Sequence, residues 1–93
     1  MVTGTLTIDF LLNDCHSLKD KRSVVKRLIA QVQNRFKAAA AEVGHHDFHG
    51  RGKIGIAVVS TDKCHANSIL DKIIDFIEGL CLVDITGVEM DFF

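Results

Sequence analysis

Ninety-three residues are enough for one modest hydrophobic core and too few for two, so a single domain spanning 1–93 is expected. Apolar residues at 47% and charged residues at 25% match ordinary globular usage and exclude a disordered chain, while the absence of Pro excludes a Pro-rich linker. The formal net charge of −1 excludes a uniformly basic or acidic protein but conceals an asymmetry. Between His16 and Lys37 lie Lys19, Lys21, Arg22, Lys26, Arg27, Arg35 and Lys37, opposed only by Asp20, so that segment carries +6 and leaves −7 for the rest.

Residues 3–12 alternate, with Leu6, Ile8, Phe10 and Leu12 on one side and Thr5, Thr7 and Asp9 on the other. Period two with one polar face predicts a half-buried strand. After the polar break Asn13-Asp14-Cys15-His16, Ser17 is followed three residues later by Asp20, a helix-start signature. Leu18, Val24, Val25, Leu28, Ile29, Val32 and Phe36 then form one stripe at helical spacing. Residues 38–43 are alanine-rich, yet a strand fits better between this helix and the histidine-rich segment after it. Residues 44–52, with three histidines, read as a hairpin loop.

Residues 53–60 alternate again, Ile54, Ile56 and Val58 against Gly55, Ala57 and Val59. Thr61 or Asp62 can cap a second helix, whose stripe is Ala66, Ile69, Leu70, Ile73, Ile74 and Ile77, with Gly79 as its expected stop. A last strand covers residues 82–92, bent or bulged at Asp84-Ile85-Thr86-Gly87. The order β-α-β-β-α-β predicts an α+β, ferredoxin-like sandwich: a four-stranded antiparallel sheet with both helices on one face and the other face open.

No basic n-region precedes an apolar run at the N-terminus, and no apolar stretch approaches the ~20 residues that cross a bilayer. Cys15, Cys64 and Cys81 are odd in number and widely spaced, which argues against a disulfide framework. A cytoplasmic location with no membrane partner is expected.

Enzyme chemistry lacks its parts. The chain has no G-x-x-x-x-G-K-[ST], no G-x-G-x-x-G and no C-x-x-C. Residues 12–17 lack both the arginine of an acylphosphatase loop and the two close cysteines of a metallochaperone. Cys15-His16 and Cys64-His65 are sequence neighbours whose side chains point apart on a regular element, not nucleophile–base pairs. No catalytic residue and no cofactor is expected.

Three surfaces remain. Lys19, Arg22, Lys26 and Lys37 fall along one flank of the first helix, and Lys21 and Arg27 add positive field, a pattern suited to RNA phosphates or an acidic partner. Lys19, Lys21 and Arg22 crowd the first turn, where the helix dipole favours acids. The loop Gly44-His45-His46-Asp47-Phe48-His49-Gly50 holds ligand types suited to Zn²⁺, but adjacent histidines without a distant fourth ligand do not make a closed site. His45, Asp47 and Phe48 are therefore read as loop contacts, with no metal. The open sheet face has small or acidic residues where RNA-recognition sheets carry aromatics, so it suits a second copy better than RNA.

Three blocks together resemble the YlxP-like family, a bacterial family of unknown function (domain-of-unknown-function family 503). They are His16-Ser17-Leu18-Lys19-Asp20-Lys21-Arg22-Ser23-Val24-Val25-Lys26, Ala41-Glu42-Val43-Gly44-His45 with Asp47, and Ala57-Val58-Val59-Ser60 running into Leu70-Asp71-Lys72. The resemblance spans nearly the whole chain and implies a ferredoxin-like fold, a gene near translation and ribosome-maturation genes, and no known catalytic residues. Phe48-His49-Gly50-Arg51-Gly52 departs from the family pattern in being glycine-richer.

The expected function is thus non-enzymatic binding linked to translation, with ribosomal RNA or a ribosomal particle as partner. The alternative is a homodimer formed through the open sheet face. A small hydrolase or metal site at His45–His49 and Cys15-His16 ranks below both.

Overall fold

The structure, a computed structural model, describes residues 1–13, 16–46 and 48–93. Asp14, Cys15 and Asp47, and the expectations attached to them, lie outside the described residues. The elements are β1 (Val2–Leu11), α1 (Leu18–Phe36), β2 (Ala39–Gly44), β3 (Arg51–Ser60), α2 (Lys63–Leu80) and β4 (Asp84–Phe92). The strands form one antiparallel sheet in the order β2-β3-β1-β4, and both helices cover the same side. This is the α+β ferredoxin-like arrangement that the periodicities predict.

The pleat sorts the strand residues. Leu6, Ile8 and Phe10 on β1 and Ile54, Ile56 and Val58 on β3 are buried beneath the helices, with Leu6 opposite Ile56 and Ile8 opposite Ile54. Thr5, Thr7 and Asp9, Gly55, Ala57 and Val59, and Glu89 and Asp91 take the other face, as the alternation requires. Ala39, Ala41 and Val43 of β2 join them. The glycine-rich end of the loop has a steric reason at Gly52, which lies opposite Phe10, because a Cβ there would collide with the Phe10 ring.

The helix starts follow their caps. The Ser17 side chain accepts the Asp20 N–H, and Asp20 in turn accepts the His16 N–H at 3.4 Å. Asp62, not Thr61, caps α2, accepting the His65 N–H at 3.0 Å. The expected stop at Gly79 is displaced. Gly79 lies within α2, and the left-handed cap falls on Cys81 (φ 55°), whose N–H bonds the Glu78 carbonyl. In β4 the expected irregularity is a bulge at Thr86: Gly87 faces Asp9 while Ile85 faces Phe10, leaving Thr86 unpaired.

Candidate functional site

Helix α1 places its cations by simple periodicity. Lys19, Arg22 and Lys26 are spaced i, i+3 and i+7, so they share one flank and span ~10 Å of helix rise. All three are exposed, as is Arg27 on the adjoining side. None of the four lies in an ion pair among the described residues. Arg22 and Lys26 overhang a shallow groove of ≈ 280 Å³ between α1 and β2, floored by Val25 and Ile29 and closed by Glu42. Lys37 shares the flank on a helical wheel but sits at the C-cap, ~27 Å of rise from Lys19. The structure does not bring it into the cluster. Arg35 is also set apart, its guanidinium 5.3 Å above the Phe76 ring.

Lys21 must be withdrawn from the basic surface. Its side chain is 1% exposed, the most deeply buried charge among the described residues. The Nζ lies 3.2 Å from Glu42 Oε2 and donates a hydrogen bond to the His45 carbonyl. The cause lies in the helix period: Lys21 precedes Val25, Leu28 and Val32 on the buried stripe, so its Cα points at the sheet. An ammonium carried there must find an acceptor, because an unpaired buried charge costs several kcal/mol. Glu42 supplies it from the inward-facing row of β2, opposite Ile54. Glu42 Oε2 is itself buried and has the Lys21 charge as its partner in place of a well-directed hydrogen bond.

The same pair organises the loop. His45 adopts a left-handed backbone (φ 57°), which turns its carbonyl to accept both Lys21 Nζ and the Phe48 N–H, the latter at 3.1 Å. The two adjacent histidines then part. His45 Nε2 lies 3.7 Å from Asp9 on the open sheet face, while His46 Nε2 lies 3.8 Å from Glu42 on the helix side. Among the described residues no three His, Cys, Asp or Glu side chains gather as metal ligands. Phe48 is 59% exposed and stands edge-on to the His45 ring at 6.0 Å between centroids. It therefore stands out from the loop and does not cover the core.

Elsewhere the polar groups satisfy one another. His65 Nδ1 is 2.8 Å from Ser60 Oγ, which also accepts the Asp62 N–H, so this histidine supports the start of α2 while neighbouring Cys64 is exposed. A recess of ≈ 520 Å³ lies between the end of β1, α1 and the α2–β4 turn. Two of its polar side chains, Asn13 and Asp84, bond each other. Ser60 and His65 are the one hydroxyl–imidazole pair within hydrogen-bond reach among the described residues, and Asp62 beside them accepts the His65 backbone N–H and not its ring.

The family described as "Protein of unknown function (DUF503)" matches residues 3–90. An uncharacterised protein, YlxP, from Bacillus subtilis (strain 168) is 31% identical over 90 residues, covering 97% of this chain and 98% of that one. Among solved structures, a mutant of SnoaB, a cofactor-independent oxygenase from Streptomyces nogalater, superposes with a TM-score of 0.53 at 14% identity. It covers 98% of this chain and 90% of its own. At that identity the likeness concerns the fold alone. No helix among the described residues is long and apolar enough to cross a membrane.

Proposed function

Because the chain belongs to the DUF503 family of proteins of unknown function, which hands down no activity, we propose from geometry that it is a non-enzymatic RNA-binding protein. The binding element is the exposed row Lys19, Arg22 and Lys26, with Arg27 adding field. One observation carries this reading. The lysine of the first turn that has a carboxylate partner, Lys21, is inside, while the cations that stay outside have no ion-pair partner among the described residues.

Cations at a helix N-terminus oppose the macrodipole, at ~0.3–1 kcal/mol each at low salt. RNA phosphates laid along the flank would offset that cost and release counterions. Ribosomal RNA or a ribosomal particle is the partner favoured by the gene neighbourhood that the YlxP-like resemblance implies.

Co-sedimentation of the protein with ribosomal particles from its own cells, at low and moderate salt, tests the proposal. Association should weaken as salt rises, with a log–log slope of roughly −2 for three contacts to a single strand. Lys19→Glu/Arg22→Glu/Lys26→Glu should abolish it, while Lys37→Glu, outside the cluster, should leave it in place. Association that survives the triple substitution rejects the basic flank as the RNA surface.

A further inference from the structure

No element among the described residues covers the sheet face opposite the helices, and its residues fall into two halves of different character. The apolar half is β2 and β3, with Val43 at 52% and Val59 at 65% exposure beside Ala39, Ala41, Gly55 and Ala57. The polar half is β1 and β4, with a threonine row on β1 and Glu89 and Asp91 on β4. A shallow depression of ≈ 320 Å³ crosses the boundary, floored by Thr5, Thr7, Ala41, Gly55 and Ala57.

The strand order β2-β3-β1-β4 puts the centre of the sheet between β3 and β1. A two-fold axis through that centre and parallel to the strands lays β1 of one copy on β3 of the other, and β4 on β2. Thr5 then meets Ala57 of the second copy, and Thr7 meets Gly55, small groups that allow close approach. Asp9 and Lys53 are register partners within one chain, so the same axis sets Lys53 over Asp9 of the second copy, twice. Glu89 and Asp91 lie over the rim alanines of β2, where their carboxylates keep contact with water.

The competing axis, across the strands, is penalised by charge. Glu89 is paired with Thr7 and Asp91 with Thr5, so they lie symmetrically about the Leu6–Met90 row. A rotation about that row would stack each Glu89 on Asp91 of the other copy, a like-charge contact. We infer that the open sheet face is a homodimer interface, closed by a two-fold axis parallel to the strands and registered by reciprocal Lys53–Asp9 ion pairs.

The dimensions suit this. Three strands of nine or ten residues and the six-residue edge strand β2, ~4.8 Å apart, present a face ~19 Å wide that is ~30 Å long over β1, β3 and β4 and ~20 Å long at β2. With side-chain relief added, that approaches the ~800 Å² per partner of a stable interface. Aligned sheets pack ~10 Å apart and turn by ~30°, a rotation the long Lys53 side chain can follow. Both helical layers stay outside, so the interface does not depend on the RNA reading.

Sedimentation velocity of the full chain at ~100 μM, where even a micromolar interface is populated, gives the test. The expected mass is twice the 10.3 kDa of the chain. Ala57→Lys, placed at the centre, should give monomers with an unchanged circular dichroism spectrum. Val59→Lys, at a more exposed site, replaces it should Ala57→Lys misfold. Lys53→Glu should weaken association at least tenfold, and Asp9→Lys/Lys53→Glu should restore it. A monomeric wild type overturns the inference, as does a dimer indifferent to the lysine at the centre. A charge swap that fails to restore association overturns the reciprocal register.

Discussion

Helices α1 and α2 bury residues at one and the same spacing and fill it differently. In α2 the positions are Ala66, Leu70, Ile73 and Ile77; in α1 they are Lys21, Val25, Leu28 and Val32. Each series begins four residues after its N-cap, Ser17 or Asp62. The first position is an alanine methyl in one helix and a lysine in the other, and its surroundings account for the difference. Ala66 sits beneath β1 where Gly4 lacks a side chain, and a Cβ on Gly4 would come within 3.4 Å of the Ala66 methyl. Lys21 faces β2, a six-residue edge strand that brings Glu42 and the His45 carbonyl within its reach. Where the sheet is centred the helix approaches through small residues, and where the edge strand leaves polar groups inside, a charge ties helix and loop together.

The sharpest way to break this contrast is to remove the charge. Lys21→Met leaves the buried Glu42 Oε2 without its ammonium partner, although His46 stays 3.8 Å from the other oxygen, and should cost ~3 kcal/mol, the lower end for breaking a buried pair. For a chain of this size that lowers the melting temperature by roughly 12 °C or more. Adding Glu42→Leu should restore most of the loss, because the remaining acceptor, the His45 carbonyl, keeps the Phe48 N–H. Thermal unfolding of the single and double variants measures both, and a Lys21→Met protein as stable as wild type would show that the pair is not structural.

The counterpart in α2 fails by volume instead. Ala66→Leu adds three carbons to a fully buried position packed beneath Gly4, and should cost ~1–3 kcal/mol by overpacking. Urea denaturation reads this as a lower midpoint with an unchanged slope.

The contrast also explains what can be read in the sequence. Alternation of apolar residues on β1 and β3, the two helical stripes and the bulge in β4 are local patterns, and each has its expected place in the fold. Residue type assigns Lys21 to the surface, although its spacing from Val25 and Leu28 places it on the buried stripe. Periodicity carries the answer there and composition misleads. Its partner, Glu42, is less accessible to such reasoning, since the encounter depends on β2 meeting β3 in a register that no local pattern encodes. The divergence of His45 and His46 is of the same kind, because it comes from one left-handed residue and from which groups lie on either side of the sheet. The exposed row Lys19, Arg22 and Lys26 needs only helical spacing, whereas Lys37 matches it in angle and not in height.

The N-caps should behave alike despite the different cores beneath them. Ser17→Ala and Asp62→Ala each remove one acceptor for an orphan backbone N–H, at ~1 kcal/mol apiece. Thermal melts of the two variants compare them, and a loss at Asp62 well beyond that at Ser17 would add the Ser60–His65 pair to the cap's account.

The smallest effect runs the other way. Both helices end on a left-handed residue that is not glycine, Lys37 in α1 (φ 52°) and Cys81 in α2 (φ 55°). Left-handed backbone is costly for a residue with a Cβ, by ~1–2 kcal/mol. Glycine removes that strain but adds freedom to the unfolded chain, which returns part of the gain. Lys37→Gly and Cys81→Gly should therefore each stabilise by ~0.5 kcal/mol, a melting shift of only a few degrees. The two need not be equal. The Lys37 N–H closes a 2.9 Å bond to the Gln33 carbonyl, four residues back, whereas the Cys81 N–H reaches only three residues back, to Glu78, at 3.3 Å. The tighter cap over-determines its left-handed residue more firmly, so glycine should gain its full effect at Lys37. At Cys81, where the bond is longer and the thiol also approaches the Glu78 carbonyl at 3.7 Å, the gain should be smaller. A larger stabilisation at Cys81 than at Lys37 would mean that the weaker hydrogen bond reports the greater strain, reversing the order argued from cap geometry.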